Sequence, residues 1–272
     1  EHPILYGVFS ASILSPIFLA MPPTSAGYIR WVRTLLIFGV TFTSLSAGPM
    51  ASLISQFYIL LYEAISRMIN LNKRWLILAG LVIFGYVLVD FLSNRDPVNV
   101  LITYLTFNPA TAYNRLLIWE YGSAEALRHP IFGIGFADWE RPAWMSRSGS
   151  MDNFWLLLAV RYGMPAFVFV ALAMLSLIYK ACQRTLTKGA QERCRLAWII
   201  GLVGMFVAGA TVHYWNALFV LMFFYIGMGV WLGSPTAELA QKQDIEKARR
   251  TKQRRIWLMR KPKPQRKRGI VT

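Results

Sequence analysis

The chain has 272 residues, 56% hydrophobic and only 15% charged, with a mean hydropathy of +0.41. About 25% of residues are charged in a soluble domain, so this composition excludes an ordinary water-soluble fold and points to lipid as the solvent. The net charge of +16 does not imply a nucleic-acid partner, because 13 of the 29 Lys and Arg fall between Lys242 and Arg268. Against Glu238, Asp244 and Glu246 that tail nets +10. Such a density suits anionic phospholipid headgroups, each basic residue near the surface contributing roughly 1 kcal/mol.

Glu1-His2-Pro3 runs straight into an apolar stretch, with no initiator Met and no basic n-region, so the sequence reads as truncated at its N-terminus and without a signal peptide. A spanning helix needs about 20 mostly apolar residues. Seven stretches qualify, roughly 3–22, 30–46, 49–67, 75–93, 153–179, 195–213 and 215–233. The fold class is therefore all-α, a polytopic membrane helix bundle. Its parts are four spans over 1–93, a long hydrophilic loop with an amphipathic helix over 94–152, three spans over 153–233 and the basic tail over 234–272.

Lys and Arg in the short connections set the orientation. One alternate set carries Arg30 and Arg33, then Arg67, Lys73 and Arg74, then Lys180, Arg184, Lys188, Arg193 and Arg195, then the tail; the other has almost none. The basic set, with Cys182, Cys194 and the C-terminus, is expected in the cytoplasm, where the two thiols stay reduced and no disulfide is implied. The long loop is expected outside. Its five arginines are balanced by Asp96, Glu120, Glu125, Asp138, Glu140 and Asp152.

Within that loop, Asn108-Pro109 opens a helical run to Arg128, with Tyr113, Leu116, Leu117, Tyr121, Ala124 and Leu127 as an apolar stripe. Arg115 and Trp119, four residues apart, share one face, and Arg128 and His129 close the end. Arginine matches phosphate because its planar fork donates paired hydrogen bonds at fixed charge; the alternative is contact with headgroups or pairing with Glu120 and Glu125. Gly133 and Gly135 permit a tight backbone path to the aromatic segment Trp139 to Trp144. Asp152-Asn153 supply good caps for the fifth span. Asp152 is either a simple cap or a carboxylate base at a cavity mouth. Arg161, two turns into that span, must face a cavity, a polar partner or the interface.

Asp138-Trp139-Glu140 has an acid-x-acid spacing that can hold a divalent metal, but a single tripeptide is weak support for one. The three outer histidines, His2, His129 and His213, lack any close pair or HExxH spacing. No metal site and no cofactor is expected, and no P-loop, GxSxG or Rossmann glycine pattern occurs.

Taken in order, several short motifs carry a resemblance. They are Glu1 to Gly7 (EHPILYG), Ser44 to Pro49 (SLSAGP), Asn114 to Trp119 (NRLLIW), His129 to Gly135 (HPIFGIG), Asp152 to Leu156 (DNFWL) and Arg161-Tyr162-Gly163. Together they resemble the O-antigen ligase and polysaccharide polymerase family, in its exopolysaccharide-production branch, over about residues 1–180. The resemblance implies a metal-independent glycosyltransferase of the bacterial inner membrane. It would move a glycan from an undecaprenyl-diphosphate carrier to an acceptor glycan at the periplasmic face, beside other polysaccharide-assembly proteins. Family members usually have ten or more spans, which implies further helices before residue 1. The family's diphosphate-binding loop arginine maps onto Arg115. Ligases carry a His where this chain has Asp152, and tend to carry an acidic residue where it has Arg161. These departures favour polymerisation, with Asp152 as base and Arg115 and Arg161 on the diphosphate. Arg128, His129 and Asn153 are expected to contact substrate, and Trp119, Trp139 and Trp144 to offer flat faces to sugars. A transporter of lipid-linked sugars is the rival class, and an assembly subunit recruited by the tail is the third. Polar residues concentrated in one loop, rather than spread over several spans, favour the enzyme.

Overall fold

The computed structural model describes residues 2–20, 28–71, 73–94, 109–145, 150–184, 189–233 and 242–253, with positions 97, 99, 100, 103 and 186. Asn108, Ser148, Gly149 and the tail beyond 253 lie outside the described residues. Helices alone form the regular structure among the described residues. In chain order these are α1 (Pro3–Ser12), a π-type turn (Pro16–Ala20), α2 (Tyr28–Phe42), α3 (Ala47–Met68), α4 (Arg74–Leu92) and α5 (Pro109–Arg128). They continue with α6 (Phe154–Tyr162), α7 (Met164–Gln183), α8 (Ala190–Gly209), α9 (Ala217–Met228) and α10 (Val230–Gly233).

α3 and α8 form the central pair, with α1 packed against both, the π-type turn against α8 and α2, and α2 against α1. Small residues permit the close approach: a Cβ at Gly204 of α8 would meet Gln56 Nε2 at 2.4 Å. Gln56 is fully buried and fully used. Its amide donates to the Ala11 carbonyl at 2.8 Å, and its Oε1 lies 3.0 Å from the Ser15 hydroxyl, which is also 2.9 Å from the Ala197 carbonyl. One polar knot therefore joins α1, α3 and α8, at the depth where an unsatisfied amide would cost several kcal/mol.

Three helical stretches are long and apolar enough to cross a membrane: Pro3–Ala20, Arg74–Leu92 and Met164–Gln183. Ala217–Leu232 is apolar but shorter. α2, α3 and α8 form where spans were expected; α2, at 15 residues, is too short to be marked as a crossing, whereas α3 and α8, at 22 and 20 residues, are long enough and are set apart by composition alone. α3 carries Gln56, Glu63 and Arg67, and α8 opens with Glu192, Arg193 and Arg195. The division has a physical reason. α4 buries no residue against protein and is apolar all round, as a lipid-facing helix must be, whereas α3 and α8 bury one face in protein and tolerate polar groups there.

Two sequence expectations are corrected. The fifth span is not one helix: Gly163, at φ 83°, breaks it into the nine-residue α6 and the 20-residue α7. The glycine and Pro165 behind it are the cause, the one favouring a left-handed φ and the other sitting in the first turn of a new helix. The apolar stripe of α5 is only partly the buried face: Leu117 is buried and Leu116 and Tyr121 are half-buried. Tyr113 and Leu127 are exposed, and the buried face is Ala112, Arg115, Leu117, Ile118, Gly122, Glu125 and Ala126. Gly122 decides this, because a Cβ there would meet Leu156 of α6 at 2.7 Å; only that face lets the two helices touch.

Candidate active site

The site is built where the start of α6 meets the turn between α8 and α9. Asn153 is the N-cap of α6, its Oδ1 accepting from the Leu156 amide at 3.0 Å. Asp152 is therefore not the cap, a correction to the sequence reading; its Oδ1 accepts from the Ser150 hydroxyl at 3.0 Å and it stays half-buried. The Phe154 amide donates to the Val212 carbonyl at 3.1 Å, and the Phe154 ring stacks on Tyr214 with centroids 4.9 Å apart. Those contacts fix the 211–216 turn on α6. Trp215 sits between two imidazoles, His213 edge-on at 5.1 Å and His2 at 6.1 Å.

Two cavities open beside this turn and share Ser150 and Trp215 as walls. The smaller, about 220 Å³, is lined by Asp152, Asn114, His2 and Met145. The larger, about 680 Å³ and open, is lined by Arg161, His213, Asp138 and Phe136. Arg115 is buried at 7% exposure on α5, next to the cavity-lining Asn114. Burial pulls its guanidinium below the ordinary arginine value, and the Asp152 charge opposes that pull. His213 is likewise held below the ordinary histidine value, first by burial and then by Arg161, with Asp152 opposing. Burial and the Arg161 charge thus favour the neutral imidazole, and the Asp152 charge favours the protonated one. Of the three residues expected to act together, Asp152 and Arg161 line neighbouring cavities and both act on the charge of His213, which sequence reasoning had not assigned to the site, while Arg115 lines neither cavity and is linked to them through the Asp152 charge.

Arg161 occupies the last turn of α6, where the helix dipole favours a cation. The break leaves carbonyls unused, and the loop supplies donors: Ile134 N to Val160 O and Gly135 N to Arg161 O, both 2.9 Å. In return the Met164 amide donates to the Pro130 carbonyl at 2.8 Å. The Arg161 guanidinium lies 5.9 Å over the ring of Phe136, which is 87% exposed.

Other expected site residues lie elsewhere. Arg128 bridges Glu125 and Glu140, and His129 Nε2 is 3.6 Å from Glu125, so both are tied to a buried carboxylate that anchors the loop. This is the pairing with Glu125 that the sequence left open. Trp139 is 6% exposed in the core beneath the loop, under the Arg141 guanidinium, and offers no free face to a sugar. Trp119 is half-buried at the edge of the same core, while Trp144 is 64% exposed. Asp138 is clasped by Arg141 at 2.8 and 2.9 Å, which lowers its carboxyl below the usual range, and Glu140 faces Arg128. The acid-x-acid pair therefore serves two separate arginines.

His213, Trp215, Asn114 and Ser150 are the cavity residues that sequence reasoning missed. Only His213 left a signal, as an imidazole in a short turn on the loop side of the bundle.

The profile of the O-antigen ligase family matches residues 33–171, just over half of the chain. The chain belongs to the O-antigen ligase family. No curated protein matches it. The matched stretch contains Arg115, Asp152 and Arg161, whereas His213 lies beyond it. Membership and the apolar helices make the chain an integral membrane protein of the ligase and polymerase type, the class that performs glycosyl transfer.

Proposed function

We propose that this protein is a polysaccharide polymerase at the periplasmic face of the bacterial inner membrane. It transfers a glycan from undecaprenyl diphosphate to an acceptor sugar hydroxyl. The observation that carries the reading is the pair of neighbouring cavities that share Ser150 and Trp215 as walls, with Asp152 lining one, Arg161 and His213 lining the other, and the buried Arg115 acting on the Asp152 charge.

The bond between the sugar anomeric carbon and the diphosphate oxygen breaks, and the diphosphate leaves with the electron pair. Arg161 and Arg115 meet the negative charge that develops on it, fixed donors in a partly dehydrated site being worth more than in water. The acceptor oxygen forms the new bond to the anomeric carbon, and its proton passes to Asp152. A second reading makes His213 the proton acceptor, because its imidazole lines the same cavity as Arg161 and burial favours the unprotonated form that can take a proton. The exposed Phe136 and Trp144 and the half-buried Trp215 offer flat faces to sugar rings.

The decisive experiment uses the purified full-length protein in nanodiscs with an undecaprenyl-diphosphate oligosaccharide, the products being separated by size. A ladder of repeat units is expected. Transfer only to added lipid A-core would make the protein a ligase, and uptake of the lipid-linked sugar into vesicles without any new glycosidic bond would make it a transporter.

A further inference from the structure

At the end of the bundle remote from the candidate active site, three arginines from three helices line a cavity of about 360 Å³. Arg67 lies in the last turn of α3, Arg74 is the first residue of α4, and Arg193 is in the first turn of α8, with Gly189 and Glu192 completing the wall. α3 relates the two ends. Its second residue, Gly48, is packed so closely on the 211–212 turn that a Cβ would meet Val212 at 2.4 Å. From there its 22 residues run ~33 Å at 1.5 Å per residue. The hydrocarbon core of a bilayer is about 30 Å thick, so the arginine cavity stands at the opposite membrane interface.

The charges there are unevenly spent. Glu63, 6% exposed, pairs with Arg67 and lies 4.0 Å from Arg74 Nη1. The Tyr62 hydroxyl donates to the Arg74 carbonyl at 2.5 Å, which fixes the backbone from which Arg74 projects. Arg193 has a buried Nε that makes no hydrogen bond among the described residues. α8 starts at Gly189 without a side-chain cap, and a Cβ on that glycine would meet nothing within 4 Å. The uncapped first-turn amides and two arginine forks are a combination that phosphate oxygens satisfy. Glu192 adds an acceptor for a hydroxyl donor. Next to Arg74, α4 exposes Trp75 and Leu76 and buries nothing along its length, so acyl chains have an apolar wall beside the cavity.

We propose that this cavity binds the headgroup of phosphatidylglycerol from the leaflet opposite the active site. The phosphate lies on Arg74 and Arg193 and a glycerol hydroxyl donates to Glu192. The inference is independent of the glycosyl-transfer reading.

Native mass spectrometry of the full-length protein, titrated with phosphatidylglycerol or phosphatidylcholine, tests it. The wild type is expected to retain one phosphatidylglycerol that an Arg74→Gln, Arg193→Gln double variant binds at least about tenfold more weakly, a loss of ~1.4 kcal/mol. The single Arg193→Gln, at a helix start, gives an intermediate loss and guards against a folding defect in the double variant. Arg141→Gln, at the other end of the bundle, leaves retention unchanged. Equal retention by wild type and double variant would overturn the site. A thermal-stability increase with millimolar inorganic phosphate as large as that with the lipid would overturn the lipid as its occupant.

Discussion

Ile134 donates its backbone amide to the Val160 carbonyl across 2.9 Å, joining the loop after α5 to the broken end of α6. A helix that stops inside a bundle leaves carbonyls that water cannot reach, and protein must supply the donors. Here the loop does so. It is a structural layer of the bundle rather than a flap lying over it, and it holds Arg161 at the cavity edge.

Two glycines make that junction possible, and either is expected to be intolerant of replacement. A Cβ on Gly133, at φ 66°, would sit 2.5 Å from the Val160 and Arg161 carbonyls, and one on Gly163, at φ 83°, would sit 2.2 Å from Ile131 O. Gly163→Ala and Gly133→Ala should each destabilise the protein by at least about 1–3 kcal/mol, the cost of a strained backbone before any clash. A detergent melting curve checks this; Gly135→Ala, which has open space at the Cβ, should lose only the backbone part.

Arg115→Lys and Arg161→Lys keep the charge and lose the planar fork. If both arginines hold the leaving diphosphate, each should cut turnover roughly 100-fold, the usual cost of losing one donor to a developing anion. Arg128→Lys should instead weaken the loop's anchorage through Glu125 and Glu140 and lower stability more than turnover. Initial rates measured at matched folded protein separate the two effects.

Asp152→Asn leaves α6 intact, because Asn153 and not Asp152 caps it. Its melting temperature should match that of the wild type while polymer synthesis falls by about 100-fold or more, as expected for loss of a general base. Near-normal synthesis at equal protein levels would move the proton acceptor to His213, and His213→Gln would then carry the loss.

The depressed His213 value sets a pH dependence. A folded-state value below the unfolded value of about 6.5 means that the unfolded chain binds the proton more readily. The stability contribution is complete above about 6.5 and is lost as pH falls through the lower folded value. Denaturation midpoints measured between pH 7.5 and 5 should decline for the wild type and decline less for His213→Gln.

Alkaline-phosphatase fusions test the orientation on which the periplasmic site depends. Fusions after Ser148 should be active and fusions after Arg184 silent, following the Lys and Arg bias of the short connections. The reverse pattern would place the cavities at the cytoplasmic face and remove the proposed reaction.

The helices were legible from apolar runs and turn signals such as Ser46-Ala47-Gly48-Pro49, because lipid enforces long uninterrupted hydrophobicity. The break at Gly163 was hidden in the same hydrophobicity: Gly163-Met164-Pro165 is a stop and a start, but apolar residues flank it on both sides. On α5 the letters misled for the opposite reason. Arg115, Glu125 and Gly122 are buried by what folds over them, so an apolar stripe identified only part of the buried face, Leu117 with the half-buried Leu116 and Tyr121. Arg115, Asp152 and Arg161 could be named from short motifs, whereas His213 is more than 50 positions from Arg161 in sequence and joins the site through tertiary contacts such as those of Phe154 with Val212 and Tyr214.

The knot around Gln56 constrains how the bundle can move. Sliding α1 along α3 by a single turn, about 5.4 Å, would carry the Ala11 carbonyl and Ser15 out of reach of an amide that has no water to turn to. Such a slide has no gentle intermediate, so Gln56 acts as an index pin that sets the axial phase of three helices at once. Any rearrangement that admits a long glycan must then come from rotation of lipid-facing helices such as α4 and α7 or from the loop's outer rim, with the central trio as the stationary frame.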